Sequence, residues 1–301
     1  MIDFKKMTTE QENPRTSGLS SMELREAIEV MNEENMRAVT CIESQYDKIE
    51  RVIEIAQDAL AQGGRIIYMG AGTSGRIGLL DAVECPPTFG VDDNTVIGLI
   101  AGGQHAFIKA VEGAEDNKEQ GKTDLQVIDL SPIDLVIGLA ASGRTPYVIG
   151  GLEYAQKLGS RTAAVVCNWE SEIAKICPLT IEVVPGPEVL TGSTRLKAGT
   201  TTKLVCNMIS TLSMIRIGKI YKNYMVDVKM TNEKLVTRGT NIVMAVTGCS
   251  KEQAQNALKN ADGQVRVAIT MVLMGCSKEQ AQNALDRADG CIGNVEQEVQ
   301  V

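Results

Sequence analysis

The sequence predicts an α/β protein: a doubly wound parallel sheet, preceded by helices and followed by a small all-helical region with an internal duplication. Three observations support this prediction. Short, continuously apolar segments alternate with helical ones in the middle of the chain, which is typical of parallel strands covered on both faces. Before this region apolar residues recur every three or four positions, as in amphipathic helices. After it, one ten-residue string occurs twice.

Residues 1–62 form the first predicted part, a helical segment that packs on the main domain. Its helical periodicity runs from about Ser20 to Gln62 and ends at Gly63 and Gly64. Glycine is a common helix terminator because it adopts a left-handed backbone at little cost.

Residues 63–230 are predicted to be the main, ligand-binding domain. Ligands of doubly wound sheets bind beyond the carboxyl ends of the strands, where the strand order reverses. A glycine-rich loop follows the first predicted strand and is therefore the first candidate site. The predicted strands are RIIYMG (65–70), TVIGLIAG (95–102), DLVIGLAAS (134–142), RTAAVVCN (161–168) and PLTIEVVP (178–185).

Residues 231–301 are predicted to be helical, because CSKEQAQNAL occurs at 249–258 and again at 276–285. Ser250 and Ser277 are suitable N-caps for the two copies, and Gly263 and Gly290 are suitable stops. One copy is too small to bury a core alone, so the copies should pack together or on the main domain. The simplest interpretation is a dimerisation or lid element without chemistry of its own.

Composition excludes several classes of function. A net charge of −8 argues against a general nucleic-acid or membrane-surface binder. The N-terminus lacks the apolar core of a secretory signal, and none of the eight cysteines forms a CxxC pair, so reduced, cytoplasmic thiols are expected. His105 is the only histidine, which disfavours a metal site; no metal and no other cofactor is expected.

Two loops that follow strands share one chemistry: GAGTSGR after the first strand and ASGRTP after the third. Backbone amides at a helix start, together with short hydroxyls, bind anions. No GK[ST] follows the first loop and no acidic residue ends the second strand, so a nucleotide is not expected and a phosphomonoester fits better. Two ordinary tight turns are the alternative. The candidate binding residues are Gly72, Thr73, Ser74, Ser142, Arg144 and Thr145.

Carboxylates and a third polar loop complete the candidate set. Glu84 stands among apolar residues in DAVECPPTFG, where desolvation would raise its pKa, although a solvated helix-end glutamate is the simpler interpretation. Glu115 lies in the acidic run EGAEDNKEQ, whose periodicity alone indicates only a solvent-exposed helix face. The loop GPEVLTGSTRLKAGTTTK offers Arg195 and Lys197 to an anion, or is a capped helix start.

Four long segments together resemble the N-acetylmuramic acid 6-phosphate etherases: EQENPRTSGLSSME, MGAGTSGRIGLLDAVECPPTFG, GLAASGRTPYVIGGLEYA and GSTRLKAGTTTKLVCNMIS. The resemblance extends from about Thr8 through the duplicated C-terminus. It implies the sugar isomerase (SIS) fold for residues 63–230 and a cytoplasmic homodimer that needs no metal. It also implies an activity: cleavage of the lactyl ether to give N-acetylglucosamine 6-phosphate and D-lactate.

The resemblance further implies two catalytic glutamates, which correspond to Glu84 and Glu115 here. An acid at the ether oxygen and a base at carbon 2 need opposite protonation states, and Glu84 is assigned as acid and Glu115 as base, with the reverse left open. Ser142 and Thr145 are favoured for the phosphate. Arg195 or Lys197 is the candidate for the lactyl carboxylate.

Two other functions are compatible with the same fold. The SIS group is related to the glucokinase regulatory protein, so a non-catalytic phosphosugar sensor is one alternative. An aldose–ketose isomerase is the other, since it shares ring opening and proton removal at carbon 2. Both glutamate motifs argue against the sensor, and an isomerase needs no acid at an ether oxygen.

Overall fold

The structure, a computed structural model, describes residues 7–227 and 233–299. The chain divides into two compact units. The first comprises Met1–Val83 and Asn94–Ser210, and the second comprises Glu84–Asp93 and Thr211–Val301. The three-part division at residues 1–62, 63–230 and 231–301 stays a prediction.

Within residues 7–61, the first unit contains four short 3-10 turns and two long helices. Helix α1 spans Leu24–Thr40 and α2 spans Tyr46–Ala61. Along α2, apolar side chains at helical spacing form one buried face: Ile49, Val52, Ile53, Ala56 and Ala59.

A five-stranded parallel sheet forms the centre of the first unit, with the strand order β2-β1-β3-β4-β5. Every residue of β1 and β3 is buried, which explains why these strands read as continuous apolar runs. The predicted strands are therefore confirmed, with bounds β1 Ile66–Gly70, β2 Val96–Ile100, β3 Leu135–Ala140, β4 Arg161–Val166 and β5 Thr180–Glu182.

Helices cover both faces of this sheet, as a doubly wound fold requires. On one face, Ile67 and Val136 share a core with Val148 and Leu152 of α6. On the other, the Tyr68 hydroxyl donates a hydrogen bond to the Cys206 carbonyl of α8 at 3.3 Å. The helices that follow α2 are α3 Gly72–Phe89, α4 His105–Ile108, α5 Lys118–Val127, α6 Pro146–Leu158, α7 Glu172–Ile176 and α8 Lys197–Arg216.

Helix α3 is longer than the sequence predicts. The expectation that Glu84 closes the helix is wrong, because α3 continues to Phe89 through Pro86 and Pro87. Proline removes a helical hydrogen bond, but its fixed φ is compatible with the helix. The last turn is closed by a hydrogen bond from the Gly90 amide to the Pro86 carbonyl at 2.9 Å.

The second unit is mainly helical. A short hairpin, β6 Ile220–Tyr221 and β7 Tyr224–Met225, precedes its C-terminal helices. Of the two alternatives for the repeats, the structure shows that they pack together, since apolar residues of both copies share one core. The helices are α9 Glu233–Thr247, α10 Lys251–Asn260, α11 Val265–Met274, α12 Lys278–Arg287 and α13 Ile292–Val299.

Both copies of the repeat begin with a capping box, which confirms the predicted N-caps. The Ser250 side chain accepts the Gln253 amide at 3.2 Å, and the Ser277 side chain accepts the Gln280 amide at 3.3 Å. In each copy the glutamine side chain accepts the amide of the capping serine in return. The predicted stops also hold, since Gly263 and Gly290 have φ of 80° and 75°.

Among the described residues, we find no helix with both the length and the apolar character needed to cross a membrane.

Candidate active site

The two predicted anion-binding loops lie at adjacent strand ends. Strand β1 pairs with β2 on one side and β3 on the other, and Gly70 at its end is opposite Leu139 of β3. The strand order therefore reverses between β1 and β3, where a ligand is expected in this class of sheet. The two loops therefore follow neighbouring strands at the same edge of the sheet.

The loop after β1 leads directly into a long helix. Gly72 is exposed and begins α3 with φ of 53°, and Thr73 and Ser74 are half-buried in the first turn. The first amides of a helix have no acceptor within the helix, and the helix dipole favours an anion there. This loop can therefore bind a phosphate or carboxylate.

The loop after β3 has a comparable arrangement. The Ser142 hydroxyl accepts the amide of Arg144 at 3.4 Å. Thr145 precedes Pro146, the first residue of α6, and within the described part of the chain its side chain makes no capping bond to that helix. Since Ser142, Arg144 and Thr145 are all half-buried, their side chains remain accessible to a ligand at the start of α6.

Gly143 fixes the shape of this second loop. Its φ is 69°, and a Cβ atom there would lie 2.3 Å from the Cβ of Ser171. Gly72 also has a positive φ, but a Cβ there would meet nothing within 4 Å. An alanine at either position would adopt a strained left-handed backbone, but only an alanine at position 143 would also overlap another residue.

We expect Gly143→Ala to destabilise the protein more than Gly72→Ala. The left-handed backbone costs about 1–2 kcal/mol at either position, and the overlap with Ser171 adds about 1–3 kcal/mol at Gly143 alone. Denaturant unfolding of both variants measures the difference. Equal losses would mean that the loop can move away from Ser171.

A cavity of about 310 Å³ opens beside the first loop. It brings Gly72 of that loop together with Glu115, which is exposed on a 3-10 turn spanning Ala114–Asp116. The acidic run is not one continuous helix, because Gly113 has φ of 71° and Asn117 caps α5 separately. The lining includes Ala71, Gly72, Arg76, Val111, Glu112 and Glu115.

Arg76 lines this cavity and is not among the site residues predicted from the sequence. Its Nε donates to the Phe107 carbonyl at 2.9 Å and its terminal nitrogen donates to the Ala106 carbonyl at 2.7 Å. Arg76 therefore connects the start of α3 to the segment that leads to Glu115. The available signal is its place at the end of GAGTSGR, the first predicted anion-binding loop.

Glu84 belongs to the second unit and lies on α3 twelve residues after Gly72. Of the two interpretations of Glu84, the exposed side chain fits the solvated glutamate and not the apolar environment, and its catalytic role stays a prediction. The buried neighbours are Cys85 and Phe89, which are 2% and 5% exposed. Residues four apart share a helix face, so these two point into the core while Glu84 and Pro87 face solvent.

Lys197, predicted to contact substrate, is fully buried. Its ammonium lies 2.5 Å from a carboxylate oxygen of Glu34, which also accepts from Asn13 at 2.8 Å. The exposed Arg195 is two residues away. A direct contact of Lys197 with a ligand would require its ammonium to leave Glu34, and the predicted role stays a prediction.

Glu34 is the centre of this ionic cluster. Burial acts to raise the pKa of its carboxyl group, but hydrogen bonds from Lys197 and Asn13 and the charges of Lys197 and Arg37 outweigh burial and lower the pKa. Nearby, the buried carboxylate of Glu188 accepts the amides of Lys197 and Ala198 at 3.0 and 2.9 Å. The cluster thus fixes the start of α8.

Lys197→Met tests whether this lysine is structural. Removing one partner of a buried ion pair typically costs about 3–5 kcal/mol. Because Glu34 keeps its ion pairs with Arg15 and Arg37, we expect a loss in the free energy of unfolding at the lower end of this range, about 3 kcal/mol. Glu34→Gln in the same chain should restore part of it. Lys175→Met is the matched control, because its pair with Glu172 is exposed and contributes little. Unchanged stability with a raised KM would instead support direct contact with substrate.

Comparisons with known proteins give the family of the chain. The N-terminal SIS domain of glucokinase regulatory protein matches residues 47–156 as a family model, and the C-terminal lid domain of glucokinase regulatory protein matches residues 222–262. A phosphoheptose isomerase from Neisseria gonorrhoeae is similar in structure, with a TM-score of 0.49 at 16% identity over 62% of this chain and 99% of that one.

The curated relatives are much more similar in sequence. The N-acetylmuramic acid 6-phosphate etherase of Francisella philomiragia is 55% identical over 89% of this chain and 92% of its own. That of Bacillus mycoides is 55% identical over 87% and 90%, and etherase 2 of Enterococcus faecalis is 55% identical over 89% and 90%. At this identity and coverage, the chain belongs to the N-acetylmuramic acid 6-phosphate etherase family.

Proposed function

We propose that the chain cleaves the D-lactyl ether of N-acetylmuramic acid 6-phosphate, releasing N-acetylglucosamine 6-phosphate and D-lactate in the recycling of cell-wall sugars. The observation that carries this proposal is the cavity that joins Gly72, at the start of a helix, to the carboxylate of Glu115. Exposed helix-start amides beside an accessible carboxylate suit a polar sugar that must lose a proton.

The reaction is an elimination followed by addition of water. When the sugar ring is open, the proton on carbon 2 lies next to an aldehyde and can be removed by a base. The electrons of that bond form a double bond between carbons 2 and 3 as the ether oxygen leaves carbon 3 with lactate. An acid supplies the proton to the departing oxygen, and water then adds across the double bond. We assign Glu115 as the base and Glu84 as the acid.

Base function for Glu115 is supported by its exposure. The carboxylate is exposed and lines the cavity, so it can reach a proton of a sugar bound there. The acid assignment of Glu84 rests on the family motif DAVECPPTFG, because in this chain the side chain is solvent-exposed. Hydrogen exchange at carbon 2 distinguishes this assignment from the reverse one.

The binding residues are assigned from the same edge of the sheet. Ser142 and Thr145, with Arg144 beside them, are assigned to the phosphate at the start of α6 from the resemblance to SIS proteins, which commonly bind phosphate at the serine/threonine loop after a later strand. Hydroxyls and helix amides suit an anion there. The loop of Gly72, Thr73 and Ser74 holds the remaining polar groups of the sugar. Arg195 is exposed and is therefore preferred over Lys197 for the lactyl carboxylate.

We also propose that the protein acts as a homodimer in the cytoplasm. This follows the family resemblance and the absence of CxxC pairs among its eight cysteines. The oligomeric state can be measured by light scattering.

One assay separates the three functions considered. Purified protein is incubated with N-acetylmuramic acid 6-phosphate, and D-lactate and the sugar product are quantified. An etherase releases lactate and N-acetylglucosamine 6-phosphate in equal amounts. A sensor binds the sugar without releasing lactate, and an isomerase forms a ketose phosphate. Either of the last two results would overturn the proposal.

A further inference from the structure

Asp227 and Arg266 form a two-pronged ion pair inside the second unit. The Nε of Arg266 donates to one carboxylate oxygen of Asp227 at 2.7 Å, and a terminal nitrogen donates to the other oxygen. The side chain of Arg266 is 14% exposed and that of Asp227 is 19% exposed. Such a planar, paired arrangement fixes geometry as well as charge, so Asp227 has a well-defined position.

Asp227 in turn contacts the end of α3. Gly90 follows the last residue of that helix and has φ of 65°. A Cβ atom on Gly90 would lie 2.5 Å from the Asp227 carbonyl oxygen and 2.7 Å from its Cβ. The backbone at Gly90 therefore packs directly against Asp227, without room for a side chain between them.

The end of α3 needs support from outside the helix because it contains Pro86 and Pro87. Neither proline can donate to the carbonyl four residues earlier, so the carbonyls of Ala82 and Val83 lose their helical partners. Glu84 lies in that weakened turn on the exposed face. Its orientation therefore depends on what holds the helix at its two ends.

The two copies of the duplicated sequence differ at the position of this arginine. With a period of 27 residues between Cys249 and Cys276, the counterpart of Arg266 is Gly293. The turns before these positions are alike, since Asp262 and Asp289 have φ of 49° and 51°. An arginine needed only to build the repeat would occur in both copies.

Arg266 also joins the two copies. Its remaining terminal nitrogen donates to the carbonyl of Gly290, in the turn that ends α12 of the second copy. One side chain thus connects the first copy, the turn of the second copy and the residue that contacts the end of α3.

We propose that Arg266 and Asp227 are positioning residues that hold the Gly90 end of α3 and thereby orient Glu84 for its reaction. The inference rests on the proposed function, because it acts through the acid assigned there. It gives the duplicated C-terminal region a part in catalysis, in place of the simple lid or dimerisation element that the sequence suggests.

The test is a double-mutant cycle with Glu84→Gln and Arg266→Ala, read as kcat and KM for lactate release. Misplacing a reacting group can cost up to about a hundredfold, so we expect Arg266→Ala to lower kcat about tenfold with KM within about twofold. In the Glu84→Gln background the same change should have almost no further effect. Lys278→Ala is the matched control, because it removes an exposed ion pair with Asp262 in the same region.

The outcomes separate this inference from the proposed function. If Arg266→Ala lowers kcat by the same factor in wild-type protein and in the Glu84→Gln variant, its effect does not act through Glu84 and the positioning role is overturned. An unchanged kcat in Arg266→Ala would also overturn it. Full activity of Glu84→Gln would overturn the acid assignment and this inference with it. If Arg266→Ala does not fold, Arg266→Lys replaces it in the cycle, since lysine keeps the charge but cannot donate to both carboxylate oxygens in a planar pair. A loss of kcat that is smaller than expected for alanine and is absent in the Glu84→Gln background would support the positioning role.

Discussion

Glu115→Gln should fold and bind the phosphosugar but lose at least about a hundredfold in kcat, because a positioned general base typically contributes about 10²–10⁴-fold. Glutamine preserves the shape of the side chain at the cavity while removing its ability to accept the proton from carbon 2. Lactate release under saturating substrate gives kcat, and the concentration dependence shows whether KM is retained.

Hydrogen exchange tests the same residue independently of the complete reaction. In deuterated water, wild-type protein should incorporate deuterium at carbon 2 of the product or of recovered substrate. Glu115→Gln should lose this incorporation together with lactate release. Glu112→Gln is the matched control, since Glu112 lines the same cavity but has no assigned step, and it should retain most of the wild-type kcat. If Glu112→Gln were the inactive variant instead, the base would have to be reassigned.

The strands and the location of the candidate site could be predicted because both depend on local sequence and on a general rule of topology. Continuous apolar runs at β1 and β3 reflect burial on both faces of the sheet. The site then follows from the reversal of strand order, which brings the ends of these two strands together. Neither step requires knowledge of distant side-chain contacts.

Side-chain environments were less predictable because partners far apart in sequence determine them. Lys197 reads as an available cation in a polar loop, but its partner Glu34 is 163 positions away. The same limit applies to Glu84, whose neighbours in the sequence are apolar. Because of helical spacing, the side chains of Cys85 and Phe89 are buried and that of Glu84 is exposed. The apolar character of neighbouring residues in the sequence therefore does not predict the burial of Glu84.

Helix ends can be predicted from the sequence where local capping hydrogen bonds determine them. They cannot be predicted in this way where tertiary packing determines them. Ser250 and Ser277 satisfy the first amides of α10 and α12 through local contacts with a glutamine three residues on. At Pro86 and Pro87 the local rule favours termination, yet α3 continues to Phe89. The buried side chains of Cys85 and Phe89 keep this segment against the core, and tertiary packing outweighs the lost hydrogen bonds.

Glu84→Gln should also lose at least about a hundredfold in kcat, but it should differ from Glu115→Gln in one respect. If Glu84 is the acid that protonates the ether oxygen, its amide variant can no longer assist departure of lactate, while Glu115 can still remove the proton from carbon 2. We therefore expect recovered substrate to incorporate deuterium although lactate is scarcely released. Asp93→Asn, which changes an exposed carboxylate beyond the end of α3, should behave as wild type.

The exchange result decides between the two assignments that a pair of carboxyl groups leaves open. Deuterium incorporation by Glu84→Gln together with none by Glu115→Gln would establish Glu84 as acid and Glu115 as base. The opposite pattern would exchange the roles while keeping the elimination mechanism, since either carboxyl group can in principle hold the proton. Wild-type lactate release by Glu84→Gln would remove this residue from the reaction and would require another proton donor at the ether oxygen.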